Sequence, residues 1–239
     1  MPEQIRFKTR VRDAAVQYAP QYYSHFVLCD YLLISDAFSA HPYYIVQAEK
    51  DNYLHLVGVS TSLSARSFFD KCLNGTLTED DFEISSHGQS EKASKGSIRR
   101  KIKSLPLIAN LVSSSCRVEE DFRRNAVICS FASSDGSCTM GFVATPYARP
   151  KTLLSGDELD DSKSEPLKII LSKFRNEEKF ETILAGTEDD LAKHFKSVRH
   201  LMTQNLVDRI SKLLQKENAD QTLAEDVHTD VPFNDEDTF

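Results

Sequence analysis

The sequence predicts an α+β fold: an antiparallel sheet built from hairpins, an N-terminal helical region and a long C-terminal helix. Three observations carry this. Apolar residues recur at three- and four-residue spacing near both ends of the chain. Short apolar runs joined by polar turn clusters fill the middle. Asp135-Gly136 marks one of those turns outright. Helices at the ends and hairpins between them give an α+β order.

The chain has 239 residues, 40% of them hydrophobic, enough to bury a core. The five cysteines Cys29, Cys72, Cys116, Cys129 and Cys138 are scattered and form no CxxC pair. They read as reduced core thiols, and no metal or other cofactor is expected. No apolar run approaches the ~20 residues of a membrane helix. The charged start MPEQIRFKTRVRD lacks an apolar signal region, so a soluble cytoplasmic protein without membrane contact is expected. The net charge of −7 is unevenly placed. Seven of the 36 acids lie beyond residue 218 with no Lys or Arg, leaving 29 acids against 29 bases in the body. A neutral body leaves room for a local basic face. The expected organisation is one domain over 1–217 and an acidic, disordered tail over 218–239.

In chain order, residues 6–38 read as helical, through Val11, Ala15, Tyr18, Tyr22, Phe26, Cys29 and Leu33, with a break or kink near Ala19 before Pro20. Tyr43–Ala48 and Tyr53–Val59 read as a hairpin around Glu49–Asn52, which places His55 on a strand. Ser64 caps a helix carrying Phe68, Phe69 and Cys72, and Asn74-Gly75 stops it. Thr78–Phe82 reads as a short acid-capped turn. Residues 85–97 are nearly free of apolar side chains and read as a loop. From Glu91 to Lys103 there are six cations and one anion, with Ile98, Ile102 and Leu105 at helical spacing. This is the strongest electropositive footprint in the chain. Residues 126–144 form a hairpin about Ser134–Ser137. Tyr147–Thr152 reads as an irregular polar link, Asp157–Glu165 as an acidic loop, and Leu167–Phe174 with Lys179–Ala185 as a third hairpin. Thr187 and Asp190 form a capping box that opens a helix to about Lys216.

The segments LHLVGV, TSLSARSFFDKCLNGTLTEDDF, KGSIRRKIKSLP, VICSFASSDGSCTMGFV and ARPKTLL together span roughly residues 20–190. This pattern resembles the phage-associated nucleases of the barnase/EndoU/colicin/RelE-like group, in particular the fourth phage-type subgroup. The resemblance implies a barnase/RelE-like core with a four-stranded antiparallel sheet, metal-independent RNA cleavage and a role in toxin systems or phage conflict. By the same resemblance His55 is the catalytic histidine, with Arg149, Lys151 and Thr152 as the basic and hydroxyl positions. Ser62 is the alternative to Thr152. Arg66 and Lys95 are weaker candidates.

Histidine suits either proton-transfer role near neutral pH, and arginine grips two phosphate oxygens at once. Arg99, Arg100, Lys101 and Lys103, with Arg66 and Lys95, are the candidate nucleic-acid contacts, and RNA is the expected partner. A second reading is a nuclease-fold protein without activity, serving as a nucleic-acid-binding or protein-interaction module. In it the acidic tail, with Phe233 and Phe239, meets a basic partner such as an antitoxin or covers the basic helix. A DNA-binding regulator using the 97–105 helix ranks last, since no helix-turn-helix is evident. P-loop, GxSxG, HExxH and GxGxxG motifs are absent.

Overall fold

The computed structural model describes residues 2–84 and 90–226, with side chains over 7–84 and 90–216. The chain forms two compact units, 1–186 and 187–239. The first opens with α1 (Pro2–Tyr22). Its face of Phe7, Val11, Ala15, Ala19 and Tyr22 is buried, as the spacing predicts. Of the break or kink expected near Ala19, the break does not occur. The helix runs through Pro20 to Tyr22 and continues as a π-helical turn, Tyr23–Val27. Interior proline costs ~3 kcal/mol or more. Here the turn after it is anchored by the Tyr22 ring, which stacks on Phe26 at 5.6 Å and meets Tyr53 and Phe69 at 5.1 and 5.8 Å.

The helical reading of the next stretch is corrected. Residues Cys29–Ile34 are strand β1. This strand lies inside the sheet and buries side chains of both parities, so it lacks the alternation that marks a strand with one wet face. The hairpin expected over 43–59 is corrected as well. Only Tyr44–Val46 is a strand, β2, and Asn52–Val57 is a short helix, α2. The Asn52 side chain accepts the Glu49 N–H at 2.8 Å and turns the chain. Gly58, at φ +80°, ends the helix in the left-handed region.

Helix α3 (Ala65–Leu73) is capped by Ser64 and ends at Asn74-Gly75, as expected. The acid-capped turn is a 3-10 helix, Glu79–Asp81, with a capping box from Thr78. The loop expected over 85–97 is shorter. Part of it, 85–89, lies outside the described residues, and α4 already begins at Glu91 and runs to Ser104, with Ser90 accepting from the Ala93 N–H. A 3-10 stretch, Leu105–Val112, follows.

The remaining strands are β3 (Arg117–Glu120), β4 (Arg123–Arg124), β5 (Val127–Ile128), β6 (Phe131–Ser134), β7 (Cys138–Ala144), β8 (Ala148–Ser155), β9 (Glu165–Pro166), β10 (Ile169–Phe174) and β11 (Thr182–Ala185). The hairpins β6–β7 and β10–β11 stand where the sequence placed them. Tyr147–Thr152, expected as an irregular link, falls from Ala148 onward in β8, one of the sheet's long strands. The main sheet has nine strands, not four, in the order β11-β10-β1-β2-β8-β7-β6-β3-β9. All its pairings are antiparallel except β2 with β8. One face meets α1 to α4 in a continuous core that includes Val46, Phe131, Phe142 and Leu153. A small ribbon, β4–β5, covers part of the opposite face above Phe122, Cys129, Ala132 and Leu159. All five cysteines are free, and four of them are buried.

In the second unit the single helix expected from Thr187 to Lys216 is corrected to two. Helix α5 (Glu188–Val198) carries the predicted Thr187–Asp190 capping box. A 3-10 turn, Arg199–Leu201, separates it from α6 (Gln204–Asp226). The two helices bury Leu191, Val198, Met202, Leu206 and Ile210. Arg209 pairs with Glu188 across the two helices. The backbone of α6 extends into the tail, while 227–239, with Phe233 and Phe239, lie outside the described residues.

Candidate nucleic-acid cleavage site

The site is organised by β8. Its parallel neighbour β2 pairs with it only at its start, where Val46 lies beside Ala148 and the Gln47 N–H reaches the Ala148 carbonyl at 2.9 Å. Beyond that point β2 has ended, and α2 and α4 contact β8 instead. A second feature lies within the strand. Against β7, Pro150 pairs with Phe142 and Thr152 pairs with Gly141, so Lys151 is an extra residue, a β-bulge. Phe142 faces the main core, whereas Gly141 faces the Cys129 side. Arg149, opposite Val143, and Thr152, opposite Gly141, therefore share the face away from the main core, with the bulged Lys151 between them.

Gly141 is required here. A Cβ on it would stand 2.5 Å from Cys129 Sγ and 3.1 Å from the Thr152 methyl. Arg149 and Lys151 are exposed, while Thr152 is 8% exposed and forms floor rather than rim. Lys151 Nζ donates to the Ile128 carbonyl at 3.0 Å. Among the described residues neither cation has a carboxylate partner.

A cleft of about 550 Å³ lies over the second half of β8. Thr152 and Leu153 are in its lining, Ser97, Arg100 and Lys101 line it from α4, and Arg124 and Asn125 line it from the β4–β5 ribbon. Glu158 is also in the lining, engaged by Arg124 at 3.6 Å.

Lys101 ties this cleft to His55. Its Nζ donates to the His55 carbonyl at 2.5 Å. Its stem passes over Gly58, where a Cβ would come within 2.6 Å of Lys101 Cδ. Burial of the Lys101 ammonium brings its pKa down to about 8. His55 presents an exposed imidazole from α2. Loss of hydration first, then the charge of Lys101, hold its pKa below the ordinary value, against an opposing pull from Asp51 that exceeds the small further lowering by Lys151. This favours the neutral imidazole.

The structure thus places Lys101, Arg100 and Thr152 in one cleft and ties Lys101 to His55, whose imidazole also feels the charge of Lys151, while Arg149 lies two residues before Lys151 on the same strand. The other candidates lie apart. Arg66 is exposed on α3, 4.0 Å from Glu49. Lys95 is held by Glu91 one turn earlier, at 2.8 Å. Ser62 lines a hollow with Asp80, Asp81 and Glu83, a poor setting for a phosphate. Arg99 lies over the Phe7 ring at 5.6 Å, and with Lys103, Arg10 and Tyr18 it lines a groove between α1 and α4. The basic helix therefore divides its cations between two faces. Arg124 and Glu158 escaped the sequence reading. The signal available was Arg123-Arg124 just before the Val127 strand. Among the described residues no group of His, Cys, Asp and Glu is placed to hold a metal ion, and no helix is long and apolar enough to cross a membrane.

Comparison with known proteins supplies the class of chemistry. Neither the curated proteins nor the solved structures provide a match. A family model described as phage-Barnase-EndoU-ColicinE5/D-RelE like nuclease 4 matches residues 16–188, a span that includes α2, α4, β8 and the residues lining the cleft over β8. The match takes in most of the chain, and the chain belongs to this nuclease family.

Proposed function

We propose that the chain is an endoribonuclease that cleaves RNA by attack of the 2′-hydroxyl on the adjacent phosphorus, with side chains alone supplying the acid, the base and the positive charge. The arrangement that carries this reading is His55 set close to two amines without carboxylate partners among the described residues, Lys101, which holds the His55 carbonyl, and Lys151. In the proposed step His55 takes the 2′-hydroxyl proton. The O2′–P bond forms as the P–O5′ bond breaks. Lys101, protonated at neutral pH, gives its proton to the leaving O5′. The products are a 2′,3′-cyclic phosphate and a 5′-hydroxyl. Lys151 and Arg149 face the charge that grows on the phosphorane oxygens, where fixed cations in a partly dehydrated site act most strongly.

The family's phage association favours a role in phage or mobile-element conflict. A restraining partner of antitoxin type belongs to the same reading.

The test is to incubate purified protein with a labelled RNA pool in EDTA beside His55→Ala. Cleavage with cyclic phosphate ends that is lost in the variant supports the reading. Cleavage at the wild-type rate by His55→Ala would refute the assignment of the base. If neither protein cleaves, the binding-module reading takes its place.

A further inference from the structure

A second cavity, of about 490 Å³, opens where β2 and β8 begin. It is lined by His41, Pro42, Tyr43 and Tyr44 on the approach to β2, and by Pro146 and Tyr147 on the approach to β8. Nothing in the cleavage chemistry uses these residues. Four aromatic rings in one wall is a composition suited to a flat, π-faced ligand.

The wall is rigidly held. The Glu120 carboxylate accepts from the Ser39 N–H, the Ser39 hydroxyl, the Ala40 N–H and the Tyr44 hydroxyl, at 2.6 to 2.9 Å. These four bonds fix the loop that delivers His41 and Pro42. The His41 ring meets Tyr44 edge to face at 5.2 Å. Tyr44 is fixed behind the wall, whereas Tyr147 is 40% exposed and free to take a ligand on its face.

Position along β8 indicates what the ligand is. Tyr147 is two residues before Arg149 and four before Lys151, and the strand runs from the cavity to the cleft lined by Lys101 and Thr152. Successive same-face positions on a strand are ~6.6 Å apart. An aromatic platform followed by a row of unpaired cations is the arrangement that holds single-stranded nucleic acid, with a base stacked and the backbone tracked.

We propose that this cavity is a base-stacking subsite. In it a base of single-stranded RNA rests on Tyr147 and Tyr43 while its phosphates pass Arg149 toward Lys151. The proposal rests on the nuclease reading for the identity of the polymer, and its test is independent of cleavage.

Binding of a fluorescent 2′-O-methyl RNA oligomer, which lacks the attacking hydroxyl, is measured with wild type, Tyr147→Ala and Tyr147→Phe. Stacking is worth ~1–3 kcal/mol per base, so Tyr147→Ala should weaken binding roughly 5- to 150-fold while Tyr147→Phe binds like wild type. The same sugar-phosphate chain without bases should bind wild type and Tyr147→Ala equally weakly. Equal affinity of wild type and Tyr147→Ala for the full oligomer overturns the proposal, as does tight binding of the baseless chain to wild type. A duplex that binds as well as the single strand overturns it too. If the oligomer binds as expected and ordinary RNA is not cut, the subsite stands and the nuclease reading alone fails.

Discussion

Two groups of charged residues in the first unit make an instructive contrast. At the start of β1 the carboxylate of Asp30 is fully buried. Arg175 Nε holds it at 2.6 Å, Lys173 Nζ at 3.0 Å and the Gln47 amide at 2.9 Å. Arg175 goes on to Glu49 and to the Ala48 carbonyl. Every member has a partner, and nothing is left to offer a ligand. Along β8 the pattern is reversed. Arg149, Lys151, Lys101 and Arg100 have no carboxylate partner among the described residues, and the amines of Lys151 and Lys101 are spent only on backbone carbonyls. The difference teaches where to look for function among many charges. A compensated cluster holds strands together, whereas uncompensated cations cost stability through mutual repulsion and serve only when an anion arrives.

The largest effect should come from breaking the compensated cluster. Asp30→Ala leaves Lys173 and Arg175 facing each other in a buried setting, and should cost on the order of 3–5 kcal/mol. Thermal melting followed by circular dichroism would register this as a clear fall in Tm. A variant that melts with wild type would mean that the cluster is not structural.

Next is His55→Ala, expected to lose on the order of 10²–10⁴ in cleavage rate, the range for a positioned acid or base. Its Tm should stay close to wild type, because the imidazole is exposed. The two variants thus exchange readouts, one losing stability and the other rate.

Comparable in rate and more diagnostic is Lys101→Met, which removes the proposed acid and is followed on its residual activity. With its pKa held low, His55 works as a base to lower pH than an ordinary histidine, and the rate falls as pH drops through that lowered value. Removing the Lys101 charge should raise the His55 pKa toward ~6.5 and move the acid limb of the rate profile up with it. An NMR titration of the His55 ring checks this directly, and an unmoved titration would separate the two groups.

The smallest effect is expected of Lys103→Ala, in the groove between α1 and α4. It should leave the cleavage rate at saturating RNA unchanged. If flanking phosphates reach that groove, the slope of log affinity against log salt should fall by ~1.

How much of this was legible in the sequence follows from what a one-dimensional pattern can carry. Local signals held. The Ser64 and Thr187 caps, the Asn74-Gly75 stop, the Asp135-Gly136 turn and the buried stripe of α4 are decided within a few residues of themselves. Errors arose where tertiary burial decides. Cys29–Ile34 is buried on both faces and shows no period, so it merged with the helix before it. Tyr53–Val59 is rich in strand formers, yet burial of Tyr53, Leu56 and Val57 on one side makes it a helix. His55 reads as a strand residue in the sequence, whereas it lies on α2. Arg149 and Lys151 were found by resemblance, but the bulge that groups them with Thr152 depends on pairing with β7 and has no local signature. The division of the basic helix between two faces likewise needed the positions of α1 and β8.

The bulge at Lys151 has a genetic consequence. The residues on either side of it already pair with adjacent partners on β7, so excising Lys151 would close an ordinary ladder and shift neither flank. A single in-frame codon therefore separates a strand that carries this amine from one that only holds the sheet together. Under the proposed role for Lys151, loss of the site with retention of the fold would lie one such deletion away.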